Sequence, residues 1–408
     1  MESPNKSGAP LGYRSSVMRV STSQFPGFRT MTLEARLRCL AEALGREPGQ
    51  LAEALASGGL DEGTANAMVE NAIGVLGLPF GVALNFQVNG REVLVPMATE
   101  EPSVIAAASH AAKRTRAGGG FEASVDRSIM AAQIEVHDVT DPEGALGRLR
   151  EAQGELLAAA NQAVPGLVER GGGAQEVECR SLGDGFVVVH VLVDCCDAMG
   201  ANLLNTIAET LGARVAELAG GSLGLRILSN YCDRRCVRVR AQVAFEALGC
   251  NRAPGDVAAR GIASASRFAE LDVYRAVTHN KGVMNGVDAV ALATGNDTRA
   301  IEAAAHAYAA RSGVYRPLAT WRLAEGGLVG ELTMPLSVGT VGGALRAHRG
   351  ARLALDLVGA RSAGELAMVM GAAGLATNLA ALRALATEGI QRGHMSLHHR
   401  ATSGKVGA

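Results

Sequence analysis

Aromatic residues are scarce, at 3% of the chain with a single tryptophan. That disfavours an aromatic-lined fold. The 51 glycines and the alanine-rich helical stretches favour close helix packing and tight turns instead. An excess of charge of either sign is also missing. Thirty-nine Lys and Arg face 40 Asp and Glu, a formal net charge of -1, so nothing argues for a nucleic-acid partner or an anionic membrane surface. No CxxC pair occurs among the seven cysteines (Cys39, Cys179, Cys195, Cys196, Cys232, Cys236, Cys250). An odd count without that spacing supports neither a disulfide framework nor a zinc site, and it fits a reducing, cytoplasmic compartment. The first residues, MESPNKSGAPLGYRSS, lack the apolar stretch of a signal peptide and read as a disordered arm over 1–22. The longest charge-free helical run, 366–382, is shorter than the ~20 residues that span a bilayer, so the expectation is no membrane. A Gly-x-Gly-x-x-Gly fingerprint and a 20–50-residue repeat are absent too.

What the chain has is length and apolar content. Its 408 residues, 48% hydrophobic, suffice for two domains or for one large domain carrying an insertion. Helical patterns cover 32–55 and 63–75. Alternating residues on either side of Asn89-Gly90 predict a two-residue hairpin. Gly118-Gly119-Gly120 marks a break and a candidate hinge. Beyond it, a strand-helix-strand-strand-helix-strand order over about a hundred residues suits a ferredoxin-like module. The expected class is α+β: a large mixed α/β substrate domain (23–125 and 230–388), an inserted βαββαβ nucleotide-binding domain (126–229), and a truncated C-terminal flap (389–408).

Four stretches carry chemistry. In VLVDCCDAMGANLLNTIAE a strand runs into a helix through Asp197, Met199, Gly200 and Asn202. A helix start offers unpaired N–H groups and a positive dipole, which suits a pyrophosphate. The plainer alternative is that Asp197 and Asn202 cap the helix. In THNKGVMNGVDAVALATGND, Lys281 stands among apolar residues and could donate charge to an oxyanion, or be a solvated lysine. Asp297 stands where a helix cap is wanted. In QRGHMSLHHR, His394 and His398 are four apart, but a metal site needs a third ligand and none is near. A general acid or an inert tail remains. In TEEPSVIAAAS, Pro102 suits a first helical turn and makes Glu101 cap-like. Glutamate is a poor cap, which hints at another task for Glu101. A Glu, a Lys, an Asp and a His beside a non-Rossmann nucleotide turn suggest carbonyl reduction without naming a substrate.

Eight motifs taken together carry a resemblance: ENAIG at 70–74, VPMATEEPSVIAAAS at 95–109, DAMGAN at 197–202, LRILSN at 225–230, YRAVTHNKGVMNG at 274–286, ATGND at 293–297, VGGA at 341–344 and ATEGIQRGHMSLH at 386–398. Over about 28–400 the chain resembles the soluble bacterial, class II, 3-hydroxy-3-methylglutaryl-CoA (HMG-CoA) reductases. The resemblance implies that HMG-CoA and two NAD(P)H give mevalonate, CoA and two NAD(P)+, reversibly, through mevaldyl-CoA and mevaldehyde. It places the catalytic groups on Glu101, Lys281, Asp297 and His394. Lys281 would neutralise the alkoxide, Glu101 supply a proton, Asp297 tune both, and His394 protonate the departing CoA thiolate. It places HMG binding on Ser103, Arg275 and Asn285, and the dinucleotide on Asp197, Met199, Gly200, Asn202 and Asn230. It also implies a homodimer with the active site built across the interface and ENAIG at that interface, open to assembly into a hexamer.

Two departures from the family pattern follow. NAD-preferring members carry an aspartate where this chain has Val164, and that aspartate accepts a hydrogen bond from the adenosine ribose. Valine neither accepts that bond nor repels a 2'-phosphate. The chain also runs only 14 residues past His394 (408 minus 394), so a short flap is expected to weaken closure. From Val164, NADP is expected to be tolerated, with a preference for it left open. Initial rates measured with each reduced cofactor test this, and NADH rates far above NADPH rates would overturn it.

Overall fold

The structure, a computed structural model, describes residues 19–387 and Gly389. In chain order the strands are β1 (Phe80–Val88), β2 (Arg91–Ala98), β3 (Phe121–Val125), β4 (Ile129–His137), β5 (Gly173–Gly183), β6 (Phe186–Asp194), β7 (Ser222–Leu228), β8 (Cys236–Ala244), β9 (Ala319–Ala324) and β10 (Gly327–Pro335). The helices that matter for the site are α1 (Val104–Thr115), α2 (Ala201–Ala219), α3 (Val273–Ala293), α4 (Thr298–Ala309) and α5 (Ala363–Thr387).

Two sheets organise the chain. The first has the order β2-β1-β3-β8-β10-β9. Its β1–β2 hairpin turns on Asn89 and Gly90, with φ of 50° and 73°. Two successive left-handed residues match the twist of the flanking strands, which is why Asn-Gly is the favoured pair. β3 and β8 are antiparallel neighbours, Val125 facing Val237. The chain thus leaves this sheet after β3 and re-enters it alongside. The residues between build a second sheet, β5-β6-β4-β7, with every neighbouring pair antiparallel. That is the ferredoxin-like strand order. β4 shows the reason for its one-sided cover: Met130, Ala132, Ile134 and Val136 are buried while the residues alternating with them are only partly so. The buried row joins Leu204, Ile207, Leu211 and Val215 of α2 in one apolar cluster, since strand side chains alternate faces and the helix presents one stripe.

Helix α5 is the centre of the larger core. It packs on α3, on α1 and on the first sheet. Its Trp321 neighbour is 1% exposed, with the indole N–H donating to Asn378 Oδ1 at 2.9 Å. Small residues let the helices approach closely. A Cβ on Gly286 of α3 would stand 2.4 Å from the Ala373 carbonyl oxygen of α5, so no larger residue fits there without moving a backbone.

Several expectations are corrected. The pattern over 32–55 is two helices, Leu33–Ala43 and Pro48–Leu55, divided where Gly45 takes φ 59° and Pro48 opens the second. The pattern over 63–75 is helical only for Glu62–Met68. Beyond it Ile73 (105% exposed) and Leu76 (94%) find no cover within this chain. α5 is 25 residues, long and apolar enough to cross a membrane, against the shorter run expected. Its most apolar window is 78% buried inside the protein, so protein, not lipid, covers it.

Gly286→Ala should cost about 1–3 kcal/mol by overpacking. Urea unfolding measures it, and an unchanged midpoint would contradict the close α3–α5 approach.

Candidate active site

Helix α3 is fixed by side chains buried on its inner side. Asn280 donates to the Arg316 carbonyl at 2.9 Å and accepts from Leu318 N–H at 2.8 Å. The His279 ring meets the Ala319 carbonyl at 2.9 Å. Lys281, the next residue, therefore faces outward, with its side chain 60% exposed. Its Nζ lies 2.7 Å from Glu101 Oε2.

Glu101 reaches it from the β2–α1 connection. The expectation that Glu101 sits at the start of the helix is corrected: α1 begins at Val104, and the N-cap position belongs to Ser103. Ser103 takes a left-handed backbone, φ 78°, and its side chain makes no capping bond. Such a conformation is strained for a residue with a Cβ and is concentrated at functional sites. Glu101 is thereby released from any helix-terminal duty, and its carboxylate pairs with Lys281.

The remaining substrate-side candidates divide. Asn285 lies one turn after Lys281 on α3 and shares its face. Arg275, in the first turn of α3, is half-buried, and burial lowers its guanidinium pKa from the ordinary value. Among the described residues it makes no ion pair. An arginine of that kind is suited to a carboxylate ligand. Asp297 caps α4, accepting from Ala300 N–H at 3.1 Å, with Arg299 Nε at 3.6 Å. Within this chain it forms no ion pair with Lys281. His394 and the expected flap lie outside the described residues.

At the other candidate stretch, α2 starts without any side-chain cap. Its N-cap is Gly200, φ 111°. Asp197 is occupied elsewhere, Oδ1 accepting from Ala363 N–H at the start of α5 at 2.8 Å. Asn202 is exposed in the first turn. The simple capping alternative is thus set aside, and the first N–H groups of a 19-residue helix are left for water or a ligand. A Cβ at Gly200 would stand 2.6 Å from Cys195 Sγ, so the turn admits only glycine. Met199 is half-buried beside it, and Asn230 is exposed just after β7. The expectation for Val164 is corrected. It is 5% exposed and packs among the apolar side chains under the second sheet, so it presents no surface to a ribose.

Two cavities, of about 370 and 340 Å³, lie around His190 on the open face of the second sheet. Neither is lined by Glu101, Lys281 or Asp297.

Residues 32–399 match the family model of hydroxymethylglutaryl-coenzyme A reductase. The chain belongs to this family. It is 43% identical to the 3-hydroxy-3-methylglutaryl-coenzyme A reductase of Archaeoglobus fulgidus over 396 residues, covering 96% of this chain and 89% of that one. It is 37% identical to a probable HMG-CoA reductase of Borreliella burgdorferi, over 81% of this chain and 76% of that one. The class II enzyme of Streptococcus pneumoniae, solved with NADPH bound in open conformations, superposes with a TM-score of 0.85 at 42% identity. That match covers 89% of this chain and 99% of the other.

Within the family frame, some residues that hold these stretches in place escaped the sequence patterns. Asn296, inside ATGND, accepts from Gly339 N–H at 2.7 Å. Arg235, outside every quoted motif, is 5% exposed. His279 is a core histidine. Burial holds its pKa down at about 4, and the neutral ring donates from Nε2 to the Ala319 carbonyl. In the unfolded chain the ring binds a proton near ~6.5. Between those values unfolding takes up a proton, so stability is complete above pH ~6.5 and falls toward pH 4, by up to about 3 kcal/mol. His279→Gln should flatten that slope in denaturant titrations across the range, and an unaltered slope would assign it to other groups.

Proposed function

We propose that this chain interconverts HMG-CoA and mevalonate, with Glu101 and Lys281 at the reacting carbonyl. The observation that carries the reading is the 2.7 Å contact between Lys281 Nζ and Glu101 Oε2, joined to membership of the reductase family. An exposed ion pair contributes little to stability, on the order of 0–1 kcal/mol. Its value lies in holding a cation beside a carboxylate that can take up a proton from solvent and hand it on.

When the thioester carbon accepts a hydride, the carbonyl electron pair moves to oxygen. The Lys281 ammonium neutralises that charge. Collapse of the hemithioacetal expels CoA as a thiolate, which His394 protonates. A second hydride reaches the aldehyde carbon, and Glu101 supplies the proton that completes the alcohol. Arg275, Ser103 and Asn285 hold the HMG carboxylate and hydroxyl. Asp297 adjusts the charge around the lysine from its place at the start of α4.

The reduced nicotinamide cofactor provides the hydrides when bound. The uncapped start of α2 suits its pyrophosphate, with Gly200, Met199 and Asn202 around it and Asn230 nearby. NADPH is the assigned form, by likeness to the Streptococcus pneumoniae enzyme, with NADH also accepted. We read the four-stranded unit as the nucleotide-binding domain and the remainder as the substrate domain.

A homodimer is part of this reading. Tyr274 (88% exposed) and Leu271 (68%) stand near Lys281 along the chain, and Ile73 and Leu76 leave a second apolar strip open. Surface of this kind marks a protein interface, and a second copy would also enclose the exposed lysine. Assembly into a hexamer would extend it. With α5 inside the fold, a cytoplasmic enzyme free of the membrane is proposed.

CoA-dependent oxidation of mevalonate, followed by NAD(P)H absorbance, tests the activity. Turnover is expected; binding without turnover, or activity on unrelated aldehydes alone, would refute it. Lys281→Ala should lose at least ~10² in rate with its unfolding midpoint retained, and near-normal rates would remove Lys281 from the chemistry.

A further inference from the structure

Arg235 lies in the connection that returns the chain from β7 of the second sheet to β8 of the first. It is 5% exposed. Among the described residues no carboxylate forms an ion pair with it, and Asp194 and Asp197 act on it only from beyond contact. Its neighbours are backbone carbonyls on two walls. Nη1 donates to Ala198 O at 3.2 Å and Met199 O at 3.1 Å, both in the turn before α2. Nη2 donates to Ala198 O at 3.2 Å and to Val338 O, in the segment after β10. Met130 Sδ of β4 lies 3.5 Å from Nη1.

The two walls also meet directly. Thr340 N–H donates to Asp197 O at 3.0 Å, and Ala198 forms a parallel bridge with Val341. A Cβ on Gly339 would stand 2.7 Å from Met199 N. Arg235 itself receives Leu336 N–H on its carbonyl at 3.0 Å. A planar fork of five N–H groups can hold carbonyls in two directions at once, which a lysine ammonium on a single flexible stem does less rigidly. Drawing the Ala198 and Met199 carbonyls onto the guanidinium turns the N–H of the following residue in each trans peptide the other way. That sets the backbone through which α2 begins.

We propose that Arg235 is the positioning residue of the 197–202 turn: it locks the turn to the 336–341 segment and so fixes the start of α2 for the dinucleotide. The proposal rests on reading that turn as the cofactor site. It assigns Arg235 no contact with substrate or cofactor.

The test uses the full chain. NADPH and HMG-CoA dissociation constants are measured separately for wild type, Asn202→Ala, Arg235→Met and Arg235→Lys. Weaker NADPH binding by Asn202→Ala supports the underlying reading; wild type that binds no NADPH, or Asn202→Ala with unaltered affinity, overturns that reading and the proposal with it. With the reading intact, Arg235→Met should weaken NADPH binding ~10-fold or more and leave HMG-CoA binding within ~2-fold. Arg235→Lys should recover part of the loss. Unaltered NADPH affinity in Arg235→Met, or equal loss for both ligands, overturns the proposal. Should the variants not fold, hydrogen exchange on wild type decides. NADPH should protect the amides of Leu336 and Thr340 together with those at the start of α2. Protection confined to α2 overturns the proposal.

Discussion

An ammonium group held 2.7 Å from a carboxylate, on elements 180 residues apart, is the contact that the surrounding fold serves. The contact is too exposed to add much stability. Its geometry comes from what lies behind it. α3 is anchored through Asn280 and His279 to the segment that enters β9, and it is pressed against α5 at a glycine. Glu101 is presented by a connection that ends in a strained Ser103. The rigid partners are buried and the Lys281–Glu101 pair is not, so a ligand or a second subunit can exchange water for a drier setting without disturbing the core.

The second constraint is the seam between the two sheets. Asp197, Ala198 and Met199 touch the large core through the start of α5, the 338–341 segment and Arg235. Asn296, next to Asp297, grips Gly339 on the same segment. The turn that opens α2 and the residue that opens α4 are therefore joined through one short piece of backbone. Placement of a hydride donor against an acyl carbon needs tolerances of a fraction of an ångström. A seam in which hydrogen-bonded side chains grip backbone carbonyls and amides provides them.

Cys195 and Cys236 are buried packing residues. None of the seven cysteines is in a disulfide. Burial pushes Cys195 up to about 12 and Cys236 up to about 11, so neither is a thiolate at neutral pH. Cys195 is packing beneath Gly200, and its place beside the 197–202 turn is structural.

Much of the architecture was legible because it is local. The Asn89-Gly90 hairpin and the order of the inserted module follow from turn chemistry and side-chain period, which act over a few residues. Family motifs pointed to Glu101 and Lys281 as partners. Tertiary structure alone decided the rest. It took Glu101 off the helix start, withdrew Val164 into a core, stopped the helical pattern of 63–75 at Met68, and covered a 25-residue apolar helix with protein. It also brought Arg235 to the carbonyls of Ala198 and Val338, 37 and 103 residues away. Burial, and the partner a polar group finds once buried, are properties of the packed chain. A pattern that repeats every two or four residues carries no record of them.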